Sequence, residues 1–474
     1  MIRQSTVLSV RFFNSQVVAV ILSSLVSVCH PFNSAPAQQP QLIVENAGWC
    51  WFQTERALGS GSKVYLTSIA GHDGRGGRKS GDLVATSYDV ETNNTVHYTL
   101  HPSFQSDDHD VAGLCLLADQ RLLAVYGKHG SDQYQRWRIT EKPHDISTWS
   151  DERAFSVGAP YTYSNVFRLT AENDRIFNFH RGLGYNPNCN ISNDNGATWK
   201  YGWRLVEWNK SQLINDPRYT GRDGGRPYVR YASNGLDEIH FLLTDDHPRA
   251  YDNSIYHGFY KSGKLFQSSG EVVSNLLSNP NSAPEPAQFT EVFAGNANQV
   301  AWCNDLSLDA HGAPVATFSV QLSGAPYRSE TQAPSSDHAY YYARWLNNGW
   351  QTHFLAHAGS RLYSGEDDYT GLSSIDPENP NFVVISTNSN PESGQPLISQ
   401  SDQQRHWEIY LGVTSDFGTT WQWKALTRDS QVDNLRPVIV PGLSNHRVIL
   451  WCQGILRSYT DFELDLVALS MQRK

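Results

Sequence analysis

Little in this chain of 474 residues points to a scaffold held by anything other than its own core. Cysteine is sparse: six in all, scattered and mostly inside apolar runs. That excludes a disulfide framework and leaves buried free thiols as the ordinary reading. Methionine is almost absent, at two residues. Positive charge is in deficit, with 37 Lys and Arg against 47 Asp and Glu, a net charge of −10. An acidic chain is not a general nucleic-acid binder, so any acidic polymer it meets must be held by a local basic cluster. Helical periodicity is weak throughout. Beyond the first 37 residues no apolar run is long enough to span a bilayer, so membrane insertion is not expected. A nucleophile elbow, a phosphate loop and a spaced Cys/His zinc motif are all missing.

The first 37 residues have the character of an export signal. Arg3 and Arg11 precede an apolar run at 17–28, and Ala35-Pro36-Ala37 has the small-x-small form of a cleavage site. Cleavage after Ala37 removes two arginines and no acid, leaving 437 residues at a net charge of −12. The expected protein is secreted or periplasmic, and a monomer. The domain reading is a signal peptide at 1–37 and one catalytic domain at 38–474.

What the chain does have is short alternating apolar runs, each about one strand long and bounded by turn residues: 63–68, 83–88, 95–100, 122–126, 175–179, 238–243, 315–320, 340–345, 382–386 and 448–451. This is an all-β pattern. Two segments repeat Ser/Thr-x-Asp-x-Gly-x-Thr-Trp, at Ser192–Trp199 and Thr414–Trp421. These are Asp-box repeats, tight hairpins in which Asp accepts turn amides, Gly takes a positive φ and Trp packs beneath. They are structural and occur on the outer hairpins of propeller blades. Trp345–Trp350 predicts a further hairpin with an Asn-Gly turn. At roughly 40–60 residues per blade, the chain makes about seven blades. Pairing Leu42-Ile43-Val44 with residues 464–469 would close the ring and remove a free edge. The expectation is a single seven-bladed β-propeller. The 14 Trp and 23 Tyr suit either sugar stacking or sheet packing.

The most informative stretch is Ser106-Asp107-Asp108-His109-Asp110, followed by Lys128-His129-Gly130. Between them lie two short apolar runs that reverse at Asp119-Gln120, which would return both imidazoles to one end of a small sheet. A held imidazole pair suits proton transfer or metal binding. Other polar clusters stand at strand ends: Tyr161-Thr162-Tyr163, His180-Arg181, Arg226-Pro227-Tyr228, Asp246-His247, Arg361 and Asp433–Arg436. In a propeller the inner strands and their loops converge on one funnel, where these would form a wet cleft. His, Tyr and Arg together suit β-elimination from a uronic acid, in which a cation neutralises the carboxylate while a base and an acid move protons. A sialidase-like hydrolase is the enzymatic rival, and a glycan-binding propeller without chemistry the other. Paired histidines favour elimination, because sialidase chemistry has no role for them.

These strings, together with Gly48-Trp49-Cys50-Trp51-Phe52 and Gly365–Gly371, resemble the BNR-repeat propeller family that includes ulvan lyases and rhamnose–glucuronate lyases. The resemblance covers the whole mature chain. It implies a seven-bladed propeller acting on an anionic polysaccharide, with His109, His129, Tyr163 and Arg181 as catalytic residues and Tyr161 as a substitute for Tyr163. It implies Arg226 and Tyr228 as further cleft residues, and His247 and Arg361 are added as substrate-binding candidates. No cofactor is expected for the chemistry. Some relatives hold a structural metal, zinc or calcium here, for which Cys303 and His338, with Asp305 and His247, are possible ligands. Asp367 and Asp368 are read as solvated loop acids.

Overall fold

Each alternating run becomes one strand, and the strands assemble into seven antiparallel sheets set in a ring, a seven-bladed β-propeller. The computed structural model describes Met1 and residues 39–473, apart from 209–224, 250, 279–281, 323–337, 364–365 and 367. The signal-peptide reading therefore lies outside the described residues, as does Asp367. Residues 37–474 form one compact unit. Among the described residues no helix is long and apolar enough to cross a membrane.

In chain order the blades begin on the inner strands Ala57–Ser60, Gly113–Leu116, Thr162–Leu169, Val229–Ser233, Gln299–Leu308, Ser373–Ile375 and Asp433–Ile439. The last blade takes its outermost strand from the other end of the chain. Gln41–Val44 pairs with Asp461–Gln472, with Leu42 opposite Val467 and Val44 opposite Leu466. Closure by the two termini is thus as expected. Strands alternate direction, so every inner strand starts at one end of the ring and every second strand finishes there. Functional side chains flanking these positions share one mouth whatever their sequence separation.

The seams between blades are apolar. Nine of the 14 tryptophans are buried, so the aromatic content serves chiefly packing between sheets. Five cysteines, Cys50, Cys115, Cys189, Cys303 and Cys452, are buried and free. At the two repeats, Asp194 accepts from the Thr198 amide at 2.9 Å and Asp416 from the Thr420 amide at 2.9 Å. Gly196 and Gly418 sit at φ 81° and 97°, which a side chain would strain. The hairpin at 345–350 differs from expectation by one residue. Leu346 pairs with Gly349, so the turn is Asn347-Asn348, at φ 52° and 60°. Asparagine tolerates the left-handed region at both positions, and Gly349 is free to open the next strand.

Candidate active site

The hairpin over residues 113–126 does bring the two histidines together. Gly113 pairs with Val125 and Leu116 with Leu122, the reversal passing through Gln120 at φ 65°. His109 precedes the first strand and His129 follows the second, so their imidazoles stack at 4.1 Å with 14° between planes. Asp107 caps a short 3₁₀ turn, Asp108–Asp110, and its carboxylate joins the pair from behind. His109 Nδ1 donates to Asp107 Oδ1 at 2.7 Å, and His129 Nδ1 donates to Oδ2 at 2.8 Å. Asp108 Oδ1 lies 2.9 Å from His109 Nδ1, while its other oxygen accepts from Arg436 at 2.5 Å. Arg436 and Asp108 are fully buried.

The next blade adds two residues. Tyr163, near the start of its inner strand, takes φ 67°, an uncommon conformation for a residue with a β-carbon and one that clusters at functional sites. Its ring stands 5.7 Å from His109 and 6.5 Å from His129. Arg181 ends the neighbouring strand, opposite Thr162. Its guanidinium lies 5.0 Å above the Tyr163 ring and donates to Tyr228 Oη at 3.2 Å and Thr162 Oγ1 at 3.3 Å. Cation–π contact and two neutral acceptors hold the charge without cancelling it. Tyr161 is not equivalent to Tyr163. Its hydroxyl is enclosed with Ser164 and Asn178 at 2.7 and 2.8 Å and its ring stacks on His180, which is a packing role.

The site is drier than a wet cleft. His109, Tyr163 and Arg181 are all buried, and only His129 is partly open, its side chain 22% exposed. Ring–ring contact from the segment before the first blade closes the site: Phe52 lies 5.4 Å from Tyr163 and 4.7 Å from Tyr228. Burial then sorts the protons. It works against a charged His109, but the Asp107 and Asp108 carboxylates beside the ring act the other way, and His109 lies well above the ordinary value. His129 is lowered to about 4, first by burial and then by the charge of His109. Asp107, despite burial, is held below the usual carboxylate range by the two imidazoles. Burial, then Tyr228, pushes the Tyr163 phenol well up. Near neutral pH the arrangement is an imidazolium at His109, a neutral imidazole at His129, a carboxylate between them, an intact phenol and a guanidinium.

Of the further candidates, Tyr228 is in contact with Arg181. Arg226 is half-buried beside it, its backbone amide donating to Asp246. His247 packs edge-on to Tyr228 at 5.3 Å. Arg361 is half-buried where the chain passes from the fifth blade to the sixth. Asp368 is not a solvated loop acid. It is buried, with His247 Nδ1 at 3.7 Å and Arg249 at 3.5 Å.

Among the described residues three groups bring metal-type donors together: Cys50, Asp108 and His109; Asp107, His109 and His129; and His247, Glu366 and Asp368. Cys303 and His338 belong to none of them. Cys303 is core, its thiol raised to about 12 by burial and pointed at the Tyr228 carbonyl. Asp305 is paired with Arg230 at 3.0 Å. In the first two groups the carboxylates already serve Arg436 and the imidazoles. In the third, Arg249 already lies against both acids.

Two contributions go beyond the sequence reading: Tyr459, which carries no sequence signal, and the pairing with Asp108 of Arg436, itself part of the Asp433–Arg436 cluster. Tyr459, in the outer hairpin of the closing blade, stands edge-on to both imidazoles at 5.2 and 5.7 Å, and its carbonyl accepts from the Asp108 amide at 2.9 Å. Arg436 lies 328 positions from the aspartate it neutralises.

The BNR repeat-containing family matches residues 70–358. The chain belongs to the BNR repeat family. Solved structures similar to this BNR-repeat propeller include an ulvan lyase of family PL25, bound to -[GlcA(1-4)Rha3S]-. It is 13% identical, with 90% of this chain and 95% of that chain covered at a TM-score of 0.62. The polysaccharide lyase Uly1 is 10% identical over 89% of this chain and 90% of its own, with a TM-score of 0.55. At such identities the likeness is one of fold. No curated protein matches the sequence.

Proposed function

We propose that the chain is a polysaccharide lyase that cleaves an anionic polymer next to a uronic acid by β-elimination. The observation that carries this reading is the pair of stacked imidazoles on one buried carboxylate, next to a phenol and a guanidinium. The sugar bound by the similar ulvan lyase contains a glucuronate and supports the same substrate class, ulvan-like or rhamnose–glucuronate. A polymer substrate puts the site of action outside the cytoplasm, in line with the reading of residues 1–37.

In the reaction, Arg181 binds the uronate carboxylate, and its fixed fork stabilises the charge that builds there as the C5 proton leaves. Positive charge at His109 adds to that effect. His129, neutral and partly open to solvent, takes the C5 proton on Nε2. The C5–H electrons form the C4=C5 double bond, the C4–O4 bond breaks, and O4 receives a proton from Tyr163, whose phenol is kept intact by burial. Arg226 and Tyr228, with His247 and Arg361 beyond them, are the residues to hold flanking sugars. A bound metal is not needed for charge neutralisation, since Arg181 supplies it. A hydrolase of the sialidase type would use an arginine cluster and a tyrosine nucleophile, and gives the stacked histidines nothing to do.

The test is product analysis on a panel of uronic-acid polymers. New ultraviolet absorbance from a conjugated 4,5-double bond is expected. New reducing ends without that absorbance would replace elimination by hydrolysis, and binding without cleavage would leave a glycan-binding propeller.

A further inference from the structure

The Asp107 carboxylate is the one acceptor shared by both imidazoles, and it does more than hold them in place. It is buried at 2% exposure and fixed from two sides. As the cap of the 108–110 turn, its Oδ1 accepts the His109 backbone amide at 3.0 Å and the His109 ring at 2.7 Å. Oδ2 accepts the His129 ring at 2.8 Å. An ionised carboxylate has no proton to give, so each Nδ1 facing it must carry one. A neutral imidazole that carries its proton on Nδ1 has its lone pair on Nε2, on the far side of the ring.

We infer that Asp107 is a positioning residue that keeps a proton on Nδ1 of both imidazoles and so sets the tautomer of the neutral His129, leaving its base lone pair on Nε2, directed away from Asp107. The groups facing this unit from the neighbouring elements fit the assignment. Arg436 takes up the charge of Asp108, so Asp108 stays a second acceptor behind His109. Tyr459 covers both ring edges. Tyr163 and Arg181 stand on the remaining side. With both Nδ1 atoms occupied, the only imidazole nitrogens left for a substrate are the two Nε2 atoms. The wider consequence rests on the lyase reading: one carboxylate selects the base.

The test is a pair of variants, Asp107→Asn and Asp107→Glu, read by ¹⁵N NMR of the histidine side chains together with turnover. Asparagine presents one acceptor and one donor, so it can satisfy only one Nδ1–H and forces the other imidazole to accept. In the intact protein both histidines should show Nδ1–H, with Nε2 bare on His129 and protonated on the charged His109. In Asp107→Asn one should switch to Nε2–H, with turnover down roughly 10²–10⁴-fold, as for a misheld base, and KM within about threefold. Asp107→Glu, which keeps two acceptor oxygens, should restore the Nδ1–H form and part of the rate. A neutral His129 that carries its proton on Nε2 in the unaltered protein overturns the inference whether or not the variants fold. So does an Asp107→Asn protein with unchanged tautomers and rate. Nδ1–H forms that switch in Asp107→Asn, in a protein that makes no unsaturated product from any uronate polymer, would uphold Asp107 and remove the lyase reading instead.

Discussion

Replacing Tyr163 by phenylalanine should move activity and stability in opposite directions. The Tyr163 hydroxyl is buried and has no hydrogen-bond partner among the described residues. The ring, by contrast, is packed against Phe52, His109, Tyr228 and the Arg181 guanidinium. Phenylalanine keeps all of those contacts and the same left-handed backbone, whose strain is unchanged. It removes a buried polar atom whose desolvation costs about 1–3 kcal/mol when unmet. The variant should therefore be as stable as the parent, or more stable by about 1 kcal/mol. With an unfolding entropy of roughly 0.9 kcal/mol per kelvin for a ring of this size, that is a rise of about 1 °C in Tm. Catalysis should fall by about 10²–10⁴-fold, the range for a general acid, equivalent to about 3–5 kcal/mol of barrier. The assays are initial rates from the ultraviolet absorbance of the unsaturated product and calorimetric Tm on the same preparation. Turnover within threefold of the parent would show that Tyr163 does not protonate O4. A fall of several degrees in Tm would show that the hydroxyl has a structural partner, and the argument from its isolation would fail.

Arg181→Lys keeps one charge but loses the fork that spans a carboxylate, so turnover should drop on the order of 10²-fold; equal kcat/KM on a verified substrate would remove Arg181 from carboxylate binding. The acid limb of kcat/KM, which reports the free enzyme, should fall near pH 4, where His129 takes up its proton; a limb above pH 6 would mean that His129 is not the base. The same shift bears on stability. Because the folded value lies below the ordinary 6.5, the unfolded chain binds the proton first, so the His129 contribution is complete above about pH 6.5 and is lost as pH falls towards 4. The raised His109 acts in the opposite sense, its contribution present below 6.5 and lost as pH rises through its folded value. Arg436→Met strands the buried Asp108 charge and should cost about 3–5 kcal/mol, a Tm decrease of about 3–6 °C by calorimetry; an unchanged Tm would mean that Asp108 is neutral in the folded protein. Chelator should leave turnover largely intact, and metal-restorable loss in a folded protein would transfer charge neutralisation from Arg181 to an ion.

The features legible in the amino-acid sequence are those set by local pattern. A run such as Leu122–Tyr126 is continuously apolar, short and bounded by turns, the pattern of a strand buried on both faces, and the hairpin reversal at Gln120 is enough to bring His109 and His129 to one end. Tyr163 and Arg181 can be placed at the same mouth because strand direction alternates in every blade. What local pattern does not carry is who meets whom across the ring. Arg436 and Asp108 are 328 positions apart and belong to different blades, and nothing near either residue signals the other. Asp368 sits in an acidic, glycine-flanked string that reads as a solvated loop, yet Arg249 and His247 from another blade bury it. The dryness of the cleft is illegible for the same reason: it depends on Phe52, from a segment that precedes the first blade, reaching Tyr163 in the third and Tyr228 in the fourth.

That segment ties the chemistry to ring closure. Directly after the N-terminal strand pairs with the last strand, the chain bonds in turn to most of what surrounds the site. Trp49 Nε1 donates to the Arg436 carbonyl at 3.1 Å, and Arg436 donates back to the Trp49 carbonyl at 2.6 Å. The Cys50 amide donates to the Asp108 carbonyl at 2.8 Å, Trp51 Nε1 to the Cys303 carbonyl at 3.2 Å, and Gln53 to the His109 carbonyl at 2.5 Å. Arg230, from the fourth blade, donates to the Trp51 carbonyl. The bonds to Arg436, Asp108 and His109 fix the backbone of residues that carry or support the imidazole pair. Tyr459 then completes the cover from the same blade that the N-terminal strand closes. The stacked histidines, held locally by Asp107, are therefore also braced by contacts that exist only once the ring is shut. This gives a physical reason for a dry, preorganised site at the axis of a fold whose blades are otherwise stabilised one seam at a time. Reorganisation has been completed by folding, so the proton and charge transfers proposed for His129, Tyr163 and Arg181 need little further movement.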